Sequence, residues 1–442
     1  MANSSQSGWQ RVAIKLMVLA LRVLVGGVFT YAGFVKAVDI WGLGYKIDDY
    51  LEAFGWTFAM PFGGILSIAL PIFEFLAGIM LIIGSFRRFT VIALLACMAF
   101  MLPLSAYIMA TNPVPDCGCF GDAWIISNTA TFWKNLALTA GLITLLIYNK
   151  RLRSLYGPAV QWLTALFPGL FIIIVIFMGH YVQPLEDYRP YSIGTMLTSA
   201  SSDDDTDYVF IYEKDGAKKE FTVDNLPDTT WTFVDRKDIS TKSQTHEASP
   251  ITAYDSDEST VDNLISPSGI TLVLLIPDLK EINALTNFNI NDLNDIAANN
   301  GWSMICLTGS DEADLEEWRE LSMADYPVYR MDDSQLKQIA RGNPAVVIVE
   351  NGKVAFKSTF GFFYSNLEGI DKNKHIDYHV WTDTAGDAAD ILLLLKGVLL
   401  ILLVVLLLVN RTPLVVKFLH SRSKKRPTVV EVVDDNADEA GS

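Results

Sequence analysis

Six apolar runs, at about residues 12–35, 61–85, 89–110, 132–149, 157–181 and 388–410, each reach the length of about 20 residues at which a helix crosses a bilayer. No other feature of this 442-residue chain constrains its fold as strongly, because a segment in lipid must satisfy every backbone N–H and C=O internally. The reading is a multi-pass helical membrane protein. The first run is too long for a cleaved leader, carries Lys15 and Arg22, and lacks a small-residue cleavage site ahead of Tyr31 and Lys36. It is expected to be a retained span.

Orientation follows from the basic residues in the short loops. Arg11 with Lys15, Arg87 with Arg88, Lys150 with Arg151 and Arg153, and the stretch from Arg411 to Arg426 all fall on one side, which the positive-inside rule assigns to the cytoplasm. Both termini are therefore expected inside the plasma (inner) membrane, with the 111–131 loop and residues 183–387 outside it. The net charge of -16 concentrates in that external segment and in the tail EVVDDNADEA. Such acidity argues against nucleic-acid binding and serves solubility.

Composition divides the chain further. Residues 1–182 read as a transmembrane bundle of five spans, with DIWGLGYKIDDYLEAFGWTFAMPF suited to a helix at the membrane interface. Residues 183–267 read as a linker, carrying the Ser/Asp run SASSDDDTD and a small β element at about 205–240 around an Asp215–Gly216 turn. Residues 268–387 alternate strands and helices, which implies a layered α/β domain: GITLVLLIP and WSMICLTGS as buried strands, and NPAVVIVENGKVAFKST as two strands joined at Asn351–Gly352. Residues 388–442 supply a Leu/Val-rich final span, expected to act as a tether, and the acidic tail.

The chemistry concentrates in VPDCGCFGDAW, where Cys117 and Cys119 flank one glycine in a chain with four cysteines. Three readings stand: a redox pair, half of a metal site, or two small residues in a turn. A disulfide across one residue is sterically accessible, and a small strained ring is the labile, catalytic kind rather than a staple. Zinc needs two more ligands, for which the sequence offers Cys97, His180, and the His375 and His379 of HIDYH. Within the spans, Arg22 and Glu74 both read as near mid-bilayer, where charges face the bundle interior and pair. Such a pair either fixes helix registry or serves a polar site that binds a head group or relays protons to a quinone-type ring. Lys36 reads as a snorkelling anchor, and Lys396 as a snorkeller or a partner for a bundle acid.

Two resemblances follow from these residues. Arg22, Tyr31, Gly33 and Lys36 in the first helix, Glu74 in the second, and Asp116 through Asp122 in the loop resemble the DoxX/MauE group of membrane proteins over about residues 12–150. That resemblance implies a four-helix core and thiol, thiosulfate or quinone chemistry. For MauE-type relatives it implies methylamine utilisation through disulfide formation, although nothing in this chain identifies methylamine. The α/β pattern, with Pro344 opening the strand before the last hairpin, resembles the thioredoxin-like fold, which implies a cis-proline there. Where that fold carries Cys-x-x-Cys this chain has IPDLKEINAL, a cysteine-free version of the motif, and Cys306 reads as a small core residue. The whole layout resembles DoxX-family proteins of Bacteroidetes.

The sequence thus nominates Cys117 and Cys119 as catalytic, Arg22, Glu74 and Lys36 as cofactor-binding with quinone as the cofactor, and no metal. The expected partners are the lipid bilayer and an extracytoplasmic or membrane protein. The expected function is redox-associated: thiol–disulfide exchange or maturation of that partner, linked to quinone. The alternative is a non-enzymatic scaffold that binds through the redox-inactive α/β domain.

Overall fold

The computed structural model describes residues 2–114, 116–151, 154–183, 185–197, 208–214, 217–222, 231–238, 251–255, 259–261, 264–367, 376–377 and 379–423. The chain forms two compact units: Met1–Ala37, Lys46–Ile176 and Asp390–Ser442 in one, and Val38–Tyr45 and Phe177–Ala389 in the other. Residues 38–45 group with the α/β unit, and so do the described residues of 183–267, the stretch read from sequence as a linker with a small β element.

Six helical segments among the described residues are long and apolar enough to cross a membrane: Trp9–Val38, Thr57–Ile83, Arg87–Thr111, Asn128–Ile147, Pro158–Tyr181 and Gly386–Thr412. They agree with the six expected runs to within a few residues. The first unit is built from α1 (Ala2–Val38), most of α2 (Ile40–Ala53), α3 (Gly63–Ile83), α4 (Arg87–Thr111), α5 (Asn128–Ile147), most of α6 (Leu163–Tyr181) and most of α11 (His379–Ser423). Its core joins Val18, Val25 and Phe29 of α1 to Leu81 of α3, Leu94 and Met98 of α4, and Leu142 and Leu145 of α5.

Lipid supplies no hydrophobic drive between helices, so close backbone approach has to hold them together. Glycines provide it where α1 crosses α3. A Cβ on Gly33 would stand 2.5 Å from the Phe75 nitrogen and 2.7 Å from the Pro71 oxygen, and one on Gly78 would stand 2.5 Å from the Thr30 nitrogen. The final helix is docked rather than merely tethered. Tyr156 Oη donates to the Leu403 carbonyl (2.8 Å), Gly157 N donates to Asn410 Oδ1 (3.1 Å), and Lys396 Nζ lies 4.7 Å from the Phe34 ring centroid.

In the second unit a six-stranded mixed sheet runs in the order β4-β7-β6-β5-β8-β9, with β4 at Ala253–Tyr254, β5 at Ile270–Ile276, β6 at Ser303–Thr308, β7 at Val328–Met331, β8 at Ala345–Glu350 and β9 at Lys353–Thr359. Strands β5, β6 and β7 are parallel, while β8 pairs antiparallel with both β5 and β9. The run ITLVLLI is apolar except for Thr271 because both faces of its strand are covered. Leu272, Leu274 and Ile276 meet α7 (Ala284–Asn299), α8 (Glu312–Ser322) and α10 (Phe360–Ser365), while Val273 and Leu275 pack with Tyr191 and α9 (Asp333–Ile339). The hairpin turn at Asn351–Gly352 has left-handed φ values of 49° and 79°, as the dipeptide predicts. The Asn343–Pro344 bond is cis, as the thioredoxin-like resemblance implied. Cys306 is fully buried in β6, and burial pushes its thiol up.

The expected small β element is a three-stranded antiparallel sheet, β2-β1-β3, from β1 (Tyr208–Lys214), β2 (Ala217–Thr222) and β3 (Thr232–Asp238). Its Asp215–Gly216 turn lies outside the described residues. Residues ahead of it pack firmly on the α/β domain: Lys357, buried in β9, donates to the carbonyls of Tyr191 (2.7 Å) and Ile339 (3.1 Å) and pairs with Asp187. Arg341 grips Asp39 through two nitrogens, and Asp39 also accepts from Gly42 N (3.0 Å) at the start of α2. This ion pair places residues 38–45 in the second unit.

Gly33→Ala is expected to destabilise the bundle by about 1–3 kcal/mol, the usual effect of overpacking a tight contact. The check is a thermal melt of the full chain in detergent, where an unchanged midpoint would contradict the close crossing.

Candidate active site: the cysteine loop and a buried ion pair

The loop between α4 and α5 is held at its base by Asn128. Its Nδ2 donates to Asn112 Oδ1 (3.2 Å) and to the Val114 carbonyl (3.0 Å), while Ser127 caps α5 by accepting from Ala130 N. Asp116 then shapes the turn. One carboxylate oxygen accepts from Gly118 N (2.8 Å), as aspartates do in tight turns, and the other pairs with Lys46 (3.0 Å) from α2.

Gly118 sits at a left-handed φ of 63°, and a Cβ there would stand 2.8 Å from Lys46 Cγ. Both facts require glycine between the cysteines. The turn brings the two sulfurs to 2.6 Å, with Cys117 and Cys119 present as thiols, and Tyr50 Oη donates to the Cys117 carbonyl (3.0 Å).

The rest of the motif seats the loop on α1. Phe120 is buried between Tyr31 (centroids 5.8 Å apart) and Trp124 (5.5 Å), and Lys134 Nζ of α5 lies 4.6 Å from its ring centroid. A Cβ on Gly121 would stand 3.6 Å from Val35, the neighbour of Lys36.

Lys36 is not a snorkelling anchor. It is 5% exposed, and its Nζ lies 2.7 Å from both carboxylate oxygens of Glu74. The expected Arg22–Glu74 pair is thereby corrected. Arg22 Nε donates to the Ile82 carbonyl (2.7 Å), in the last turn of α3 where backbone oxygens lack helical partners. Helices α1 and α3 run antiparallel, so Arg22 lies level with Ile82 and Lys36 level with Glu74. Arg22 and Lys36 stand fourteen residues apart, about 21 Å along one helix.

The two thiols are electrostatically unlike. Cys119 is held below the usual thiol range, first by its hydrogen bond with Cys117 and then by Lys134 and Lys36, with burial and Glu74 opposing. Cys117 is pushed up, first by that same hydrogen bond and then by burial. Burial also raises the Tyr50 phenol, followed by the charge of the two cysteines, so its hydroxyl stays a donor. The buried ion pair and the cysteine loop, separate features in the sequence, thus form one site.

Of the residues weighed as zinc ligands, Cys97 lies on α4, His180 on α6 and His379 at the start of α11, while His375 lies outside the described residues. Among the described residues no group of three or more His, Cys, Asp or Glu is arranged to hold a metal ion. Sequence reasoning passed over Lys46, Tyr50 and Lys134. A signal for them existed in the four-residue spacing of Lys46 and Tyr50 on one helical face, and in the lone cation of the fourth span.

Lys134→Met is expected to move the alkylation midpoint of Cys119 up toward the ordinary thiol value of about 8.5 and to slow its modification at pH 7 at least threefold. Lys134→Arg should retain the low midpoint. Alkylation of the reduced protein across pH, read at each cysteine by mass spectrometry, decides the matter, and identical profiles for all three proteins would contradict it.

Residues 14–148 match the family model described as methylamine utilisation protein MauE, and residues 206–243 match a domain of unknown function, DUF8463. No curated protein matches the chain. Among solved structures, the solution structure of a thiol:disulfide interchange protein from Bacteroides sp. is 16% identical, with a TM-score of 0.22, covering 27% of this chain and 84% of that one. The multi-pass membrane portion is thus similar to MauE across the ion pair and the cysteine loop, and it joins a mixed-sheet α/β domain.

Proposed function

We propose that the chain is a membrane thiol oxidant that acts on an extracytoplasmic partner protein through Cys117 and Cys119. The observation that carries this reading is the 2.6 Å juxtaposition of two unlike thiols, Cys119 lowered first by its hydrogen bond with Cys117 and then by Lys134 and Lys36, and Cys117 raised by that same hydrogen bond and by burial. The lower-pKa sulfur is the better leaving group in thiol–disulfide exchange.

In the oxidised form a thiolate of the partner attacks the Cys117 sulfur, the S–S bond breaks, and Cys119 leaves as the thiolate stabilised by Lys134 and Lys36. A mixed disulfide now joins Cys117 to the partner. The partner's second thiolate attacks its own bridged sulfur and releases Cys117, which takes up a proton. The partner has lost two electrons and gained a disulfide, while Cys117 and Cys119 hold those electrons as a dithiol. Restoring the bond needs an acceptor of two electrons and two protons, chemistry that a membrane quinone would supply; Lys36 and Glu74, beside the loop, would be the residues to hold it, whereas Arg22 lies about 21 Å away along α1.

The α/β domain contributes binding rather than exchange. The turn after β5 carries no cysteine and is closed on itself: Asn343 Nδ2 donates to the Asp278 carbonyl (2.9 Å) and to Glu281 (3.0 Å), and Leu279 N donates to Ser310 Oγ (3.0 Å). In this reading the loop and the α/β domain face the extracytoplasmic side, and the domain is a thioredoxin-like module that has kept its fold and lost its dithiol. MauE is named for methylamine utilisation, but no residue of this site selects methylamine.

Incubating the oxidised chain with a single-cysteine peptide, which has no second thiol to resolve the bond, and quenching with an alkylating agent should give an adduct on Cys117 with Cys119 alkylated, an adduct that collapses with reductant and is absent from the Cys117→Ser, Cys119→Ser double variant. An adduct of equal yield in the double variant, or none in the parent chain, would overturn the reading.

A further inference from the structure

The second unit displays an apolar surface that its own core does not use. Two hydrogen bonds set α7 and α8 side by side and parallel: Trp318 Nε1 donates to Asn287 Oδ1 (3.1 Å), and Asn291 Nδ2 donates to the Ser322 carbonyl (2.8 Å). Each helix turns an apolar stripe to the sheet, Ile290, Leu293 and Ile296 from one and Leu315 and Trp318 from the other. Their outer faces need only polar residues. Yet Leu285 and Phe288 on α7 are 70% and 68% exposed, and Leu321 and Met323 at the end of α8 are 72% and 84% exposed.

Helical geometry gathers these side chains along the seam. Phe288 stands one turn before Asn291 on α7 and Leu321 one turn after Trp318 on α8, so each shares a side of its helix with a residue that makes the contact. Met323 caps α8 at a left-handed φ of 55°, a conformation that costs a side-chain-bearing residue about 1–2 kcal/mol and that glycine would adopt freely. Single exposed apolar residues are ordinary, whereas a group of them marks an interaction site.

The rim selects the occupant by charge. Asp295, Glu316, Glu317, Glu320 and Asp325 are all exposed on α7, α8 or just beyond, beside one exposed cation, Arg319, which pairs with Glu312. A bilayer surface bearing anionic lipids would be repelled, and a second copy would bring the same acids to the contact. A partner with apolar anchors and basic flanks meets both demands.

We propose that the α7–α8 seam docks a cationic amphipathic segment of another polypeptide. That this polypeptide is also the one whose thiols meet Cys117 rests on the function proposed above, whereas the docking itself does not.

The probe is a helical peptide with one leucine face and one lysine face, titrated onto the full chain in nanodiscs of neutral lipid, beside a leucine/glutamate peptide of the same pattern. Binding is expected for the lysine peptide alone. It should weaken at least tenfold in a Phe288→Ser, Leu321→Ser variant, whose changes are at exposed positions, and fall as salt rises. Equal affinity for that variant and the parent chain, equal binding of both peptides, or no binding of either would overturn the proposal. The Cys117→Ser, Cys119→Ser variant should bind the peptide unchanged, so a failure of the redox reading would leave this result standing.

Discussion

Two transmembrane helices can bring a lysine and a glutamate together in lipid only if their backbones approach closely and their register is fixed. Gly26, Gly33 and Gly78 permit that approach between α1 and α3, and Lys36 meets Glu74 one turn beyond the Gly33 contact. Removing one partner would leave a buried charge uncompensated, at a cost of about 3–5 kcal/mol, so the pair and the crossing sustain each other. The cysteine loop rests on the same turn of α1 through Tyr31 and Val35, and so inherits its position from the crossing. The charge that favours a thiolate at Cys119 is therefore a consequence of helix packing.

The spans were legible because lipid imposes one local rule, about 20 apolar residues per crossing, that needs no knowledge of neighbours. The α/β strands were legible for a related reason, since a strand buried on both faces must read as a nearly unbroken apolar run. The glycine between Cys117 and Cys119 also spoke for itself, because the turn it permits is a local property. The pairing of Glu74 was not legible. Depth along the span made Arg22 look like its partner, but the antiparallel register of α1 and α3, which decides the matter, is written in inter-helix contacts that no single segment displays.

Lys46 and Lys134 were missed for the same reason. Each lies on a helix whose own pattern explains it as an interfacial or snorkelling cation, and only the fold turns them toward the loop. The role of the segment just after α6 was not legible either. Asp187 and Tyr191 are fixed by Lys357, a buried residue of β9 that needs oxygen partners from elsewhere in the chain. Polar residues that satisfy a buried charge look, in sequence, like solvent-facing ones.

The proposed chemistry requires Cys117 and Cys119 to cycle between dithiol and disulfide. The direct measurement is an equilibrium redox titration of the full chain in nanodiscs against buffers of graded poise, with the two cysteines quantified by differential alkylation. A single two-electron transition, about 30 mV per tenfold change in the oxidised-to-reduced ratio, with both thiols lost together into one intramolecular bond, is the predicted result. Two thiols that remain separately alkylatable at every oxidising poise would contradict it.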